Sequence, residues 1–550
     1  MPTNTTITNL QANQAFAGDG GTGTTSIDLA TRTIASGSTT PATIQVSYDA
    51  PSRSYTVTAA GRSQTFSPGD IQTGTATGET RYSKTGPAGN DYLTLVTTPY
   101  SGSTSNRYVG LGYWQRNLSN ATTQNTTLDV FTYGLDTPAA GVPRTGTAKF
   151  TTDNFGFVTI PGKAPLAFTG SGLFNVDLAL GTFATSAYVN EYELTSPRSQ
   201  SGGSIALTAG GHLGSGNSFT GNMSYTDTYT SMSGTIAGRF FGPNAEEIGA
   251  SFSGSDRSGA AVTGAFTGQA SNSAPAVNLS ITNYVTDQLF YTQQGMLSIA
   301  PSPSGGKAVN YRTLIGQVQR RLDGSILFSP GESDFAAATF TNSDLVTGGP
   351  ANYITYRKTV NGVTTTLSLF QPGATNTELA LTYAGFGSWA GGASPGYDSF
   401  DGRVFFTYGI TTPTYLLAGK TGTASYSGVV HGVGALRDGS VYDVGGTSHF
   451  GVDFGAQTFN GSLQMPASQS SGGSSRDLGN WTFADHLSAG QLVGTGLVAP
   501  ANSSGALGTI TPQFYGPDGE EIGGVFSLQT GADSAADTMR VVGATVAKRP

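Results

Sequence analysis

Two pairs of adjacent carboxylates are the residues of this chain that most obviously could do chemistry. Glu246 and Glu247 follow one Gly-Pro turn, and Glu520 and Glu521 follow a second turn of the same kind. Two carboxyl groups can share general acid and base roles, so each pair is a candidate catalytic site. Each pair nevertheless begins a segment of alternating apolar residues, where neighbouring side chains point to opposite faces. We therefore predict polar groups at a turn and β-barrel rim, and no enzyme.

Four histidines are the next candidates: His212, His431, His449 and His486. Imidazole ligates haem and transition metals, but these residues have no tight spacing and no match between the halves of the chain. We predict isolated surface or loop histidines, with no metal site and no resident cofactor. If the protein binds haem, His431, His449 or a loop tyrosine are the first candidates.

A cluster of tyrosine and methionine lies in the segment GNMSYTDTYTSMSG. Its members are Met223, Tyr225, Tyr229 and Met232. Such clusters are typical of surfaces that bind proteins, so these four are the predicted partner-binding residues. Alternation along a barrel strand would equally place Met223, Tyr225 and Tyr229 on one face as ordinary wall. Both interpretations stay open.

A serine motif and a repeated tryptophan complete the candidates. Residues 392–396 spell the Gly-x-Ser-x-Gly of a nucleophile elbow, but the turn residues after them predict a loop instead of the required helix. Trp114 and Trp389 each follow a Tyr-x-Gly-x-Gly pattern. A repeated aromatic could anchor a partner; its presence in both halves favours packing between two modules of each half.

These residues are positioned by a tandem duplication. Residues 239–252, RFFGPNAEEIGASF, return 274 positions later as QFYGPDGEEIGGVF, residues 513–526. Each copy predicts a β-hairpin around its Gly-Pro turn. Residues 108–114 match 383–389 and residues 131–134 match 406–409, with nearly constant spacing. We therefore predict two halves with the same strand order.

Composition restricts the fold and the partners. Glycine accounts for 79 of 550 residues, and charged residues are 11% of the chain against a typical ~25%. With no long amphipathic helical pattern, this predicts an all-β protein of short strands and turns. A net charge of −8 without a basic run argues against nucleic acid as a partner. The absence of cysteine excludes disulfides and thiolate metal sites.

The second module of each half predicts a small closed barrel. In residues 131–268 we expect about eight strands, near Phe131, Ala148 and Val158, then at 173–180, 182–189, 204–207 and 221–229, and in the hairpin arms. Eight strands close into a barrel with a filled interior, which removes unpaired edges. A short helix is possible at residues 485–487.

The hairpin Phe-Tyr-Gly-Pro-x-x-x-Glu-x-Gly-Gly-x-Phe, the Phe-Thr-Tyr-Gly strand before Thr-Gly-Thr-Ala, and the duplication resemble the transferrin-binding protein B family. Ala250 stands where that family usually has glycine. The resemblance implies two lobes, each a handle domain of a few strands beside an eight-stranded antiparallel β-barrel. The expected domains are an N-lobe handle at 1–125, an N-lobe barrel at 126–268, a linker at 269–284, a C-lobe handle at 285–400 and a C-lobe barrel at 401–550.

The function that the resemblance implies is capture of a partner without catalysis. Family members are surface lipoproteins that deliver iron or haem from a bound protein to a TonB-dependent outer-membrane transporter. We therefore expect a protein or haem-bearing ligand and, as a further partner, such a receptor. The alternative is a structural or adhesive surface protein, of surface-layer or passenger type, built from the same modules. A carbohydrate-active enzyme would need a cleft with two carboxyls, which the low acidic density disfavours.

Localisation follows from the same expectation. The first residues, MPTNTTITNLQANQAF, contain neither a basic region nor an apolar core of a signal peptide, and no run of eighteen apolar residues exists. We expect a cell-surface or outer-membrane protein, or a secreted one. Any targeting segment and lipidated cysteine would then lie outside this chain.

Overall fold

The chain folds almost entirely into antiparallel β-strands, which confirms the all-β prediction. The computed structural model describes residues 3–86, 89–102, 104–194, 199–302, 307–360, 362–393, 401–501 and 503–550, without the side chains of 199–204 and 360. Contacts divide the chain into two lobes, Met1–Ala276 and Val277–Pro550. The division falls within the segment 269–284 expected to be a linker. The domain limits themselves stay a prediction.

The first lobe begins with a handle of eight strands. These are β1 (Gln14–Asp28), β2 (Thr33–Asp49), β3 (Ser54–Ala59), β4 (Arg62–Phe66), β5 (Glu79–Gly86), β6 (Gly89–Val96), β7 (Val109–Ser119) and β8 (Thr123–Gly134). Their order in the sheet is β4-β3-β2-β1-β8-β7-β6-β5, and a bridge between Ile71 and Tyr82 connects its two edges. The expectation of only a few handle strands is therefore wrong, because the handle is itself barrel-like.

The first barrel follows directly. Its strands are β9 (Thr147–Thr159), β10 (Leu166–Asp177), β11 (Thr182–Glu193), β12 (Ser199–Leu213), β13 (Ser218–Thr226), β14 (Ser231–Phe241), β15 (Glu247–Ser255) and β16 (Ala261–Ala270). The ring closes because β9 pairs with both β10 and β16. The assignment of the strand at Phe131 to the barrel is wrong. This strand is β8 of the handle, and it pairs with β1, more than 100 residues earlier. Ala148 and Val158 lie on one strand, β9.

The second lobe repeats this arrangement. Its handle strands are β17 (Gln288–Pro301), β18 (Lys307–Arg320), β19 (Ile326–Ser329), β20 (Ala338–Phe340), β21 (Tyr353–Val360), β22 (Val363–Phe370), β23 (Ala384–Gly392) and β24 (Asp401–Gly409). Its barrel strands are β25 (Thr423–Ala435), β26 (Val441–Asp453), β27 (Thr458–Gln469), β28 (Ser475–His486), β29 (Thr495–Leu497), β30 (Leu507–Tyr515), β31 (Glu521–Gln529) and β32 (Arg540–Lys548). Reciprocal hydrogen bonds between Thr482 and Val498 join the edge strands β28 and β29.

Helical structure is scarce in the described part of the chain. It consists of α1 (Thr414–Leu417) and three single 3-10 turns, Pro68–Asp70, Ala139–Gly141 and Asn342–Asp344. The short helix predicted at residues 485–487 is wrong. Asp485 and His486 instead end β28, where they pair with Phe459 and Thr458 of β27. Backbone pairing across the barrel therefore outweighs the local preference there.

Alternation along the strands fills the barrels and coats them. On β11, Phe183, Ala187 and Val189 face the interior and are buried, whereas Ser186 and Tyr188 face outward. Apolar side chains of all the first-barrel strands meet in one interior core, and the second barrel has a core of the same size. Each handle has a core of its own. Handle and barrel within a lobe are joined by a smaller apolar contact, for example Val130 against Phe155 and Ala265 in the first lobe.

Candidate functional site

The two hairpins form as predicted, and their turns have the same backbone shape. Gly242 and Gly516 have φ of +86° and +87°, and Ala245 and Gly519 have φ of +60° and +63°. A Cβ on Gly242 would lie 2.7 Å from the ring of Tyr108, so glycine is required both by the backbone and by this close approach. The turns thus bring the following glutamates to the handle in a fixed position.

The second glutamate of each pair fastens handle to barrel. Glu247 is buried, and its carboxylate accepts hydrogen bonds from the backbone N–H groups of residues 107–109 at 2.7, 2.8 and 2.9 Å. Glu521 accepts the equivalent three from residues 382–384 at 2.7, 2.9 and 2.7 Å. We call each arrangement a carboxylate clamp. Burial raises the pKa of Glu247 and of Glu521 above the usual range of a glutamate.

The first glutamate of each pair stays in the turn. The Glu246 carboxylate accepts hydrogen bonds from the backbone and side chain of Asn244, and that of Glu520 accepts one from the backbone of Asp518. The paired carboxylates therefore point to different surroundings, as the alternation predicted. They do not form a cleft with two carboxylates. The prediction that they are polar groups at a turn is confirmed, but Glu247 and Glu521 also bind the handle backbone.

The predicted partner-binding residues separate into two environments. Met223, Tyr225 and Met232 point into the interior of the first barrel, where none has exposed surface. Tyr229 lies in the turn between β13 and β14 and is 59% exposed. The partner-binding role of the four stays a prediction, but only Tyr229 offers a surface that a partner could touch.

A buried acid lies beneath this turn. The Tyr225 hydroxyl donates a 2.7 Å hydrogen bond to Glu191, whose side chain is buried inside the barrel. Burial is the main cause that raises the pKa of Glu191 to about 7. A carboxyl group inside the barrel therefore changes charge near neutral pH, directly below the turn that carries Tyr229.

The turn of Tyr229 is held rigidly at one end of the first barrel. The Asp227 carboxylate accepts hydrogen bonds of 2.6 and 2.7 Å from the backbone N–H groups of Tyr229 and Thr230. The Thr230 hydroxyl donates a hydrogen bond to the Asp256 carboxylate in the turn between β15 and β16. The Lys163 ammonium lies 4.7 Å from the centre of the Tyr229 ring. We call this end, formed by turns 160–165, 227–230 and 256–260, the Tyr229 rim.

The handle braces the Tyr229 rim from the side. Ile34 of β2 is buried and exchanges two backbone hydrogen bonds of 2.8 Å with Gly162 and Lys163. The backbone of the turn that carries Lys163 is therefore held by the handle as well as by the barrel. A rigid rim loses little conformational entropy when a partner binds.

Sequence reasoning missed an aromatic stripe on the outside of the first barrel. Tyr188 is 73% exposed, and Tyr192 and Leu194 of the same outward face are 39% and 55% exposed. The alternation of β11 contained the signal, because Ala187, Val189 and Glu191 face inward. The stripe runs along β11 toward the Tyr229 rim.

The repeated tryptophans do not pack between modules, so that prediction is wrong. Trp114 and Trp389 are buried in the cores of their own handles. The Trp114 indole N–H donates a hydrogen bond of 2.9 Å to the Asp91 carboxylate, whereas the Trp389 indole nitrogen is buried without a hydrogen-bond partner. Their buried position also leaves no surface for a partner. The serine motif at 392–396 extends beyond the described residues, which stop at 393 before resuming at 401.

The histidines lie apart from one another. His431 Nε2 is 2.7 Å from the Glu378 carboxylate, and His486 lies on the surface beside Asp485. Among the residues whose placement is described, no group of three or more His, Asp or Glu side chains could hold a metal ion. Within the same residues, no helix is long and apolar enough to cross a bilayer.

Comparison with known proteins identifies the barrels. The family model for the C-lobe and N-lobe β-barrels of transferrin-binding protein B matches residues 142–270 and 418–549, the two barrel modules. The two barrels belong to the family of transferrin-binding protein B β-barrels. Each lobe contributes one match, so the family confirms the duplication as well as the fold.

Solved structures with low sequence identity are also similar to this chain. They include intact Ap-TbpB, at 16% identity over 82% of this chain and 86% of that one with a TM-score of 0.27. Transferrin binding protein B from serogroup B Neisseria meningitidis is 16% identical over 83% of this chain and 89% of that one, with a TM-score of 0.27. A double mutant of transferrin binding protein B from Haemophilus parasuis Hp5 is 16% identical over 83% of this chain and 85% of that one, with a TM-score of 0.25. A search of curated proteins finds no matching relative.

Proposed function

We propose that this protein is a cell-surface binding protein that captures an iron- or haem-bearing partner protein at the Tyr229 rim. The observation that carries the proposal is the exposed tyrosine on a turn held by Asp227, Asp256 and Lys163. Exposed aromatic residues on rigid surfaces are the usual anchors of protein interfaces. Tyr229 would contact the partner, and Met223, Tyr225 and Met232 would support its turn from inside.

Membership in the transferrin-binding protein B-like family supports the wider setting. The family model that matches both barrels is that of transferrin-binding protein B. We infer that the captured protein is passed to a TonB-dependent outer-membrane receptor and that a lipid anchor holds the chain at the outer-membrane surface. The iron or haem would stay in the partner, so the chain itself needs no cofactor and performs recognition without catalysis.

Binding assays on the folded chain test this proposal. The immobilised chain is exposed to iron-loaded transferrin, haemoglobin and other haem proteins, and retained protein is quantified by biolayer interferometry. The Tyr229→Ala variant should lose at least about tenfold in affinity, as expected for an aromatic anchor. Tyr291→Ala is the matched control, because Tyr291 is a 73% exposed tyrosine of the second-lobe handle.

The outcome separates capture from the structural role. Retention of one panel protein that depends on Tyr229 but not on Tyr291 supports the proposal. Equal binding by wild type and Tyr229→Ala moves the site away from the rim, and loss on Tyr188→Ala would place it on the outer stripe instead. Self-assembly of the chain without retention of any partner would favour the structural or adhesive alternative.

A further inference from the structure

The second lobe contains an open crevice between its handle and its barrel. The crevice has a volume of about 350 Å³. Its walls are three aromatic side chains, three hydroxyl side chains, one histidine and one carboxylate, among others: Tyr353, Phe386, Phe405, Thr355, Ser368, Ser388, His431 and Asp443. A concave site with apolar walls and a few polar groups is the usual form of a small-ligand site.

The same place in the first lobe is filled. Strand register makes Tyr113 the counterpart of Ser388, because each precedes the handle tryptophan and pairs with the last handle strand. Phe155 is the counterpart of His431, since they pair with Ala265 and Ala544 on the last barrel strand. The Tyr113 and Phe155 rings stack with centres 5.0 Å apart, and Tyr100 packs on Phe155 from 5.1 Å.

The exchanges of Tyr113 for Ser388 and of Phe155 for His431 are two of the differences that open the crevice. The cavity beside Leu111 and Phe155 in the first lobe measures only about 10 Å³. Serine in place of tyrosine removes a ring, and histidine in place of phenylalanine adds polar ring nitrogens. Because both lobes keep the same strand order, differences in side chains, and not a different fold, distinguish the open crevice from the filled one.

One carboxylate lines the crevice, and a second bonds to its histidine. His431 stacks on Phe386, with ring centres 5.1 Å apart, and bonds through Nε2 to the Glu378 carboxylate at 2.7 Å. Burial, and then the charge of Glu378, raise the pKa of the Tyr353 hydroxyl above its usual range. The lining carboxylate is that of Asp443, an exposed residue of β26. None of the described lining residues is lysine or arginine.

We propose that this crevice binds an organic cation of the guanidinium or alkylammonium type. The apolar part of the ligand would lie against the aromatic walls, and its charge would face Asp443 and Glu378. Aromatic rings and carboxylates together favour cations over neutral or anionic ligands of the same shape. The proposal concerns the second lobe alone and does not depend on partner capture at the Tyr229 rim.

A pair of ligands with the same shape and different charge tests the proposal. N-acetyl-arginine amide represents a peptide side chain, agmatine represents a free small molecule, and N-acetyl-citrulline amide is the neutral counterpart of the first. Isothermal titration calorimetry on the full chain should show saturable binding of at least one cation and at least tenfold weaker binding of the citrulline compound. The two cation arms distinguish a side chain of a partner from a free metabolite.

Variants tie the binding to the crevice. The double variant Ser388→Tyr, His431→Phe installs the first-lobe residues and should abolish binding without lowering the thermal unfolding temperature. Asp443→Asn should weaken cation binding about tenfold, whereas Asp537→Asn, a change of an exposed aspartate outside the crevice, should not. The proposal is overturned if neither cation binds, if the citrulline compound binds as tightly, or if Asp443→Asn and the double variant bind as wild type does.

Discussion

The first-lobe carboxylate clamp predicts a large and local effect of one substitution. Glu247→Ala removes the acceptor of three backbone N–H groups, those of residues 107–109, from a site that is 6% exposed. Each buried donor left without a partner costs about 1 to 3 kcal/mol. Water entering the vacated space recovers part of this cost, and single substitutions rarely exceed about 4 to 5 kcal/mol. We therefore expect the first lobe to lose about 3 to 4 kcal/mol.

Hydrogen exchange measures this loss where it occurs. The amides of residues 107–109 are protected by the clamp, and their opening should become about 100-fold or more frequent when it is removed, since each 1.4 kcal/mol is about tenfold. Glu247→Gln keeps one acceptor oxygen, so its cost should be smaller, about 1 to 2 kcal/mol. The intact chain is labelled with deuterium and then digested, and mass spectrometry of the peptides resolves this segment.

Two controls make the test specific. Glu246→Ala changes the adjacent glutamate, whose carboxylate accepts hydrogen bonds from Asn244 of its own turn, and should leave exchange at 107–109 unchanged. Glu521→Ala should accelerate exchange at residues 382–384 and not in the first lobe. Wild-type exchange at 107–109 in Glu247→Ala, or equal acceleration by Glu246→Ala, would refute the clamp as the link between handle and barrel.

Further predictions concern buried groups. The folded pKa of Glu191, about 7, lies above its ordinary value of 4.5, so the folded state retains a proton that the unfolded chain loses and first-lobe stability falls as pH rises from about 4.5 through 7. Glu191→Gln removes this slope and should gain up to about 3 kcal/mol over wild type between pH 4 and 8 in denaturant titrations; a pH-independent difference would contradict it. Met223→Ala should cost about 2 to 5 kcal/mol of first-lobe stability in the same assay, whereas Tyr229→Ala should change that stability by less than about 0.5 kcal/mol. Equal losses would contradict the placement of Met223 inside the barrel and of Tyr229 on its surface. Trp114→Phe should cost about 1 to 3 kcal/mol of handle stability through its lost hydrogen bond, and Trp389→Phe, whose indole nitrogen has no partner, should cost less.

Local sequence patterns predicted the parts that depend on short-range geometry. The hairpins follow from Gly-Pro turns and alternation, and alternation also placed Glu246 and Glu247 on different sides. The strand at Phe131 was assigned to the wrong module because its partner, β1, lies more than 100 residues earlier, and such pairing leaves no local signal. The same limit explains the tryptophans, whose surroundings are set by strands distant in the sequence.

The candidate sites, too, could be predicted only as far as local sequence patterns allow. Sequence alone left Tyr225 and Tyr229 undecided between wall and binding surface, and the structure places one inside and one outside because Asp227 begins a turn between them. The crevice of the second lobe required the spatial meeting of handle and barrel. Its sequence signals were the internal alignments of Tyr113 with Ser388 and of Phe155 with His431, which have meaning only when the facing residues are known.

The central claim, that the first barrel grips a protein partner with its Tyr229 rim, is tested most directly by a hydrogen-exchange footprint of the complex. The chain is labelled alone and when saturated with the panel protein that it retains. We expect slower exchange in turns 160–165, 227–230 and 256–260 and no change in the equivalent barrel of the second lobe. A bound partner that leaves these three turns unprotected while protecting another surface would contradict it.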